Sequence, residues 1–244
     1  MIYYATFIFL FIIIALKAGT YIYHRIGASS WLSFAKKMKL YWSVSDNGNI
    51  NVVWGLYRGL TFNLSYISPN YDLPEDIKTT RISICYPDEI PLDITIYKAN
   101  LHDYIFGDYF SGYFLNTDAP DFDKNFMIRS SCLLPINTVL TPEFRKELLK
   151  IKHLMYLFVI TNSGVALYKK GRILNISTLT RLTDFLYRIV QDISDRKDSI
   201  LPVIEEHIAL VNVEKKNEEE KICQSCGKAV PEGTQFCITC GKEV

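Results

Sequence analysis

Cys223-Gln224-Ser225-Cys226 and Cys237-Ile238-Thr239-Cys240 hold four of the six cysteines, and each pair is followed by Gly-Lys. Ten residues separate Cys226 of the first C-x-x-C-G-K knuckle from Cys237 of the second. Four thiolates in two such turns are the ligand set of a tetrahedral structural zinc site. The two-residue gap lets both sulfurs of a pair face one ion. Gly227 and Gly241 can take the positive φ that keeps each knuckle tight. A single pair would leave a redox dithiol or a disulfide open, whereas two pairs at this spacing point to zinc. So short a segment has almost no core, so the metal must supply most of its folding energy. The expectation is one structural Zn²⁺ per chain on Cys223, Cys226, Cys237 and Cys240. Cys85 and Cys132 read as buried small hydrophobes.

Other chemistry is sparse. His24, His102, His153 and His207 are scattered. His102-Asp103, with Asp108, Asp118, Asp121 and Asp123, is the one cluster that could serve acid–base or metal chemistry. Loop solvation and local turn hydrogen bonds explain these acids more simply. Tyr104, Phe106, Tyr109, Phe110, Tyr113 and Phe114 could stack on bases, but without interleaved basic residues they read as packing. Gly55 and Gly59 lack the Lys-Ser/Thr of a phosphate loop, and neither H-E-x-x-H nor G-x-S-x-G occurs. The sequence therefore identifies no catalytic residue and no small-molecule substrate, and the reading is that the chain is not an enzyme.

The elements that must carry the knuckles begin with the amino terminus. Ile2 to Tyr23 is apolar except for Lys17 and a few small polar residues, with Tyr3 and Tyr4 at one end and Tyr21 and Tyr23 at the other. About 20 helical residues span about 30 Å, the thickness of a bilayer's hydrocarbon. Tyrosines at both ends suit an interfacial belt, and Lys17 can snorkel. No basic region precedes the run, which argues against a cleaved signal, and a core helix is rarely apolar on all sides. The expectation is a transmembrane anchor over residues 1–25, with the lipid bilayer as partner through residues 2–23. His24, Arg25, Lys36, Lys37 and Lys39 follow it, so the positive-inside rule places the amino terminus outside and the rest in the cytoplasm. Reduced thiols there would agree with a metal site.

The 244 residues carry 27 basic and 26 acidic groups, a net charge of +1. That balance gives no field for nucleic acid. Aromatics make up 14%, with 16 Tyr, which favours a packed, β-rich domain. Ser30 reads as an N-cap for a short amphipathic helix over Trp31, Phe34, Ala35 and Met38. Strands are expected at Tyr41–Ser45, Asn51–Tyr57, Leu60–Ile67, Thr79–Cys85, Leu92–Tyr97, Phe126–Ser130, Leu154–Thr161 and Val165–Tyr168. Asp46-Asn47-Gly48-Asn49 and Arg58-Gly59 read as turns, Asp118–Asp123 as a loop. Thr141-Pro142-Glu143 opens a helix. Leu179, Leu182, Phe185, Leu186 and Ile189 mark a longer one, and Glu205 to Val213 a further helical stretch. The expected fold class is α+β: a mostly antiparallel sheet with flanking helices over residues 29–195, a helix and charged linker over 196–221, and a zinc ribbon over 222–244.

Ile222-Cys223, Val230-Pro231-Glu232-Gly233, Phe236-Cys237 and Cys240-Gly241 resemble the short zinc-ribbon domain at the ends of many prokaryotic proteins. Gln224 and Ile238 stand where that family often has Pro. The resemblance implies zinc and no particular activity. Gly55-Leu56-Tyr57-Arg58-Gly59 and Phe122-Asp123-Lys124-Asn125-Phe126 extend it: the whole layout is similar to uncharacterised prokaryotic membrane proteins with one anchor, an α+β domain and a ribbon.

The function expected is a membrane-anchored, cytoplasmic, protein-binding or scaffold protein. The alternative is a ribbon that binds nucleic acid at the membrane. Lys228 and Lys242 against Glu232 and Glu243 cancel the ribbon's local charge, which argues against phosphate neutralisation. An enzyme with an unrecognised site comes third.

Overall fold

A two-residue hairpin sets the architecture. In the computed structural model Arg58 and Gly59 take φ of 51° and 88°, the left-handed pair that a tight hairpin turn requires. They join β2 (Ile50–Tyr57) to β3 (Leu60–Ile67) with Tyr57 opposite Leu60. The structure describes residues 2–44, 50–67, 78–99, 112–131, 133–206, 221–222, 229–230 and 242. The other strands of the large sheet are β1 (Tyr41–Val44), β4 (Thr79–Cys85), β5 (Ile94–Lys98), β6 (Tyr113–Leu115), β7 (Phe126–Ser130), β8 (Leu157–Thr161) and β9 (Gly164–Lys170). Among the described residues the sheet has nine strands in the order β1-β2-β3-β4-β9-β8-β5-β7-β6, and every adjacent pair is antiparallel.

Period-two alternation sends one set of side chains to the core. Phe62, Leu64, Ile82, Ile84, Phe158 and Ile160 are all fully buried on that side. Helices cover it. α4 (Pro142–Ile151) starts as its sequence dictates, with the Thr141 side chain accepting from the Phe144 N–H at 3.2 Å. α5 (Ile176–Asp195) is capped by Asn175, whose side chain accepts from the Ser177 N–H at 2.7 Å. Its apolar stripe of Leu179, Leu182, Phe185, Leu186, Ile189 and Ile193 lies in the core. Phe158 meets Phe144 and Phe185 at centroid distances of 5.8 and 6.0 Å. Residues 197–206 are helical and bring Ile200 and Ile204 into the same core. Two short helices, α2 (Pro120–Asp123) and α3 (Ile136–Val139), flank β7; the first stands where a loop was expected.

The amino-terminal segment departs most from expectation. α1 is one helix, Ile2–Met38, of 37 residues. Ser30 is not a cap: it lies inside α1, and its hydroxyl donates to the Leu174 carbonyl at 2.5 Å. Trp31 donates its indole N–H to the Ile173 carbonyl at 2.9 Å, and Trp31, Phe34 and Ala35 are fully buried. Among the described residues no helix is long and apolar enough to cross a membrane. That finding overturns the transmembrane anchor over residues 1–25, the bilayer contact through residues 2–23, and the single-pass placement with cytoplasmic domains. The physical reason is continuity. The apolar run is not an element of its own: it is the first part of a longer helix. Lys17 interrupts it, and its far end is committed to the domain core.

Candidate functional site

The ribbon's scaffold is visible in a two-stranded ladder. β10 (Lys221–Ile222) pairs antiparallel with β11 (Ala229–Val230), with Lys221 opposite Val230 and Ile222 opposite Ala229. The residues between are Cys223 to Lys228, the whole first knuckle. Cys223 follows directly on β10, and Cys226-Gly227-Lys228 leads directly into β11. Such a ladder holds its two strands about 5 Å apart, and Cys223 to Lys228 is the stretch of sequence that joins them. Cys223, Cys226, Cys237 and Cys240 themselves lie outside the described residues. The donor set fits zinc: four soft thiolates in two C-x-x-C pairs. Among the described residues no group of three or more His, Cys, Asp or Glu could hold a metal.

The acidic cluster resolves into turn chemistry where it is described. Asp123 Oδ1 accepts from the Thr117 N–H at 3.2 Å and from its hydroxyl at 2.8 Å. Asp118 accepts from the Asn137 amide at 2.8 Å. The Asp121 carbonyl accepts from the Asn125 side chain at 2.7 Å. His102, Asp103 and Asp108 lie outside the described residues, as do Tyr104, Phe106, Tyr109, Phe110 and Cys132. Tyr113 and Phe114 stand on β6, with the Arg129 guanidinium 4.7 Å from the Phe114 ring. Cys85 is a half-buried free thiol opposite Gly164.

A constellation that the sequence did not reveal joins the β2–β3 hairpin to α5. Tyr57 donates its hydroxyl to Asp184 Oδ1 at 2.6 Å, and Arg58 pairs with the same oxygen at 3.0 Å. The Arg58 guanidinium lies 5.2 Å from the Tyr57 ring and 5.0 Å from the Tyr187 ring. Burial, reinforced by the bond to Asp184, pushes the Tyr57 phenol up to about 12. The folded-state value is thus above that of the unfolded chain, about 10. The resulting stabilisation is complete below about pH 10 and is lost as pH rises towards 12. Asp184→Asn is expected to lower the Tyr57 ionisation only part of the way, because burial remains. NMR titration of ring-labelled tyrosine would read this, and an unmoved midpoint would remove Asp184 from the account. The signal in the sequence was Arg58 itself, a bulky residue in a hairpin position that prefers Asn or Gly.

The sheet also carries an apolar patch. Tyr41 is 68% exposed, Trp54 40% and Leu56 66%. Tyr41 and Trp54 sit opposite each other on β1 and β2 with ring centroids 6.2 Å apart. Val44, on the same edge strand, is exposed as well.

Comparison with known proteins bears on the carboxyl terminus. A search of curated proteins finds no match. A solved structure, the mycobacterial trehalose monomycolate transport factor A, TtfA, is similar over 70% of this chain and 93% of its own, with 13% identity and a TM-score of 0.48. The family model of the zinc-ribbon domain matches residues 222–244, and it gives no support to the whole-chain likeness to membrane proteins. Residues 222–244 are a zinc-ribbon domain, and that domain implies zinc binding.

Proposed function

We propose that the chain is a non-enzymatic protein-binding or scaffold protein in which both the α+β domain and the zinc ribbon meet protein partners. In this reading the ribbon holds one structural Zn²⁺ through Cys223, Cys226, Cys237 and Cys240. The charged run from Glu214 to Lys221 separates it from the domain. The observation that carries the reading is the exposed patch of Tyr41, Trp54 and Leu56 on an edge of the sheet. Aromatic and aliphatic side chains grouped at a surface are what interface centres are made of. An edge strand adds backbone groups that a partner can pair with. Zinc in the ribbon organises a second surface and has no part in chemistry here.

Affinity capture with the full chain tests this, using zinc-loaded and zinc-stripped protein and nuclease-treated extract. A defined protein partner should survive nuclease and be lost with Trp54→Ser combined with Leu56→Asp. Both side chains point away from the core, so the variant should melt like wild type. Capture abolished by nuclease would transfer the function to nucleic acid. Capture that the patch variant leaves unchanged would remove the patch from the interface.

A further inference from the structure

A groove runs along α5 from its first turn. Ser177, Arg181, Asp184 and Arg188 line it, together with Lys37 from the last turn of α1, and it encloses about 640 Å³. Its charges are unevenly matched. Asp184 is already held by Tyr57 and Arg58. Arg188 reaches Glu147 at 3.2 Å. Lys37 and Arg181 have no ion-pair or hydrogen-bond partner among the described residues. The groove therefore presents more positive than negative charge, and the positive end of the α5 dipole opens into it. Arg58, held between the Tyr57 and Tyr187 rings, fixes Asp184 and keeps that carboxylate from neutralising Arg181 or Lys37.

We infer that this groove binds an extended acidic peptide segment, with carboxylates pairing to Lys37 and Arg181 and sharing Arg188 with Glu147. The inference rests on the protein-binding reading above and names the chemistry of one partner. The spacing suits it. Arg181 and Arg188 are seven residues apart on one helix, a rise of about 10 Å. Carboxylates three residues apart in a polyproline II segment lie on one side, separated by about 9 Å. Nucleic acid suits the groove less well. Two unpartnered cations release few counterions, and Asp184 in the floor repels a continuous phosphate backbone.

Fluorescence anisotropy of a labelled hexaglutamate peptide against the full chain tests the groove, with hexathymidylate as the nucleic-acid arm. Hexaglutamate should bind saturably and more weakly as salt rises. Lys37→Glu with Arg181→Glu should weaken it about tenfold or more, and Lys37→Ala with Arg181→Ala should weaken it to a smaller extent. The charge-matched control, Lys124→Glu with Lys146→Glu, changes no residue that lines the groove and should leave it close to wild type. Equal losses in the control and the groove variant would mean that only net charge matters, which overturns the proposal. So would tighter binding of hexathymidylate. If partner capture survives the groove variant but fails with the patch variant, the groove inference falls and the scaffold reading stands. If wild type captures no protein at all, the scaffold reading falls, whatever hexaglutamate does.

Discussion

Cys237→Ser is expected to abolish zinc retention and unfold the ribbon, while the α+β domain melts as before. Structural zinc supplies about 10–16 kcal/mol of apparent binding energy in modules of this size. The sequence from Ile222 to Val244 has too few large apolar residues to supply comparable energy by burial. Three thiolates hold zinc far less well than four, so loss of one ligand removes most of that energy. The β10–β11 ladder contains two residue pairs, and an isolated ladder so short is not stable in water. The large domain should not notice, because its core closes with Ile200 and Ile204, before the charged run. Elemental analysis of the reduced protein should give one zinc per chain, and thermal melts of wild type and variant should superimpose for the main transition. Reduced protein without zinc would end the metal assignment. A lowered main transition in the variant would mean that the ribbon is packed into the domain.

Legibility of the sequence followed the range of the interaction concerned. β3, β4 and β7 were readable to the residue, because alternation and turn residues are local. So was the start of α4, where Thr141, Pro142 and Glu143 each act within one turn. The insertion of the β8–β9 hairpin between β4 and β5 was not readable: the Ile84–Val165 and Ile96–Phe158 pairings join distant segments that no local signal links. α1 was misread for a related reason. Its anchor is the 172–174 segment, and hydropathy along residues 2–23 contains nothing about that contact. The zinc-ribbon domain was legible because metal ligation needs fixed residue types at fixed spacing. The Tyr57–Asp184 bond spans 127 residues and left only the odd hairpin residue Arg58 as a trace. The cationic groove on α5 was invisible, since Arg181 and Arg188 look like any solvated helix face until Lys37 is placed beside them.

Trp31→Ala is expected to destabilise the α+β domain by about 3–5 kcal/mol, the range for removing a large buried aromatic. Trp31 is fully buried and belongs to the main core with Phe34 and Ala35. Its indole N–H satisfies the Ile173 carbonyl at 2.9 Å, and the Arg172 guanidinium lies 4.7 Å from its ring. Truncation therefore opens a cavity, orphans a buried carbonyl and strips one aromatic face from a buried cation. A domain of this kind has a total stability of about 5–15 kcal/mol, so the loss is a large fraction of it. The approach of α1 is close as well. A Cβ on Gly27 would lie 2.5 Å from the Arg172 Cδ, so Gly27→Val should shift the helix and reproduce part of the effect. Trp31→Phe keeps most of the volume and loses the hydrogen bond, and it should fall between wild type and Trp31→Ala. Phe11→Ala is the control: Phe11 is 68% exposed on the same helix, and its loss should cost less than about 0.5 kcal/mol. Denaturant unfolding of the four variants would rank them. A Trp31→Ala chain as stable as the Phe11→Ala chain would show that the end of α1 is not part of the core, and the case for one continuous, docked helix would go with it.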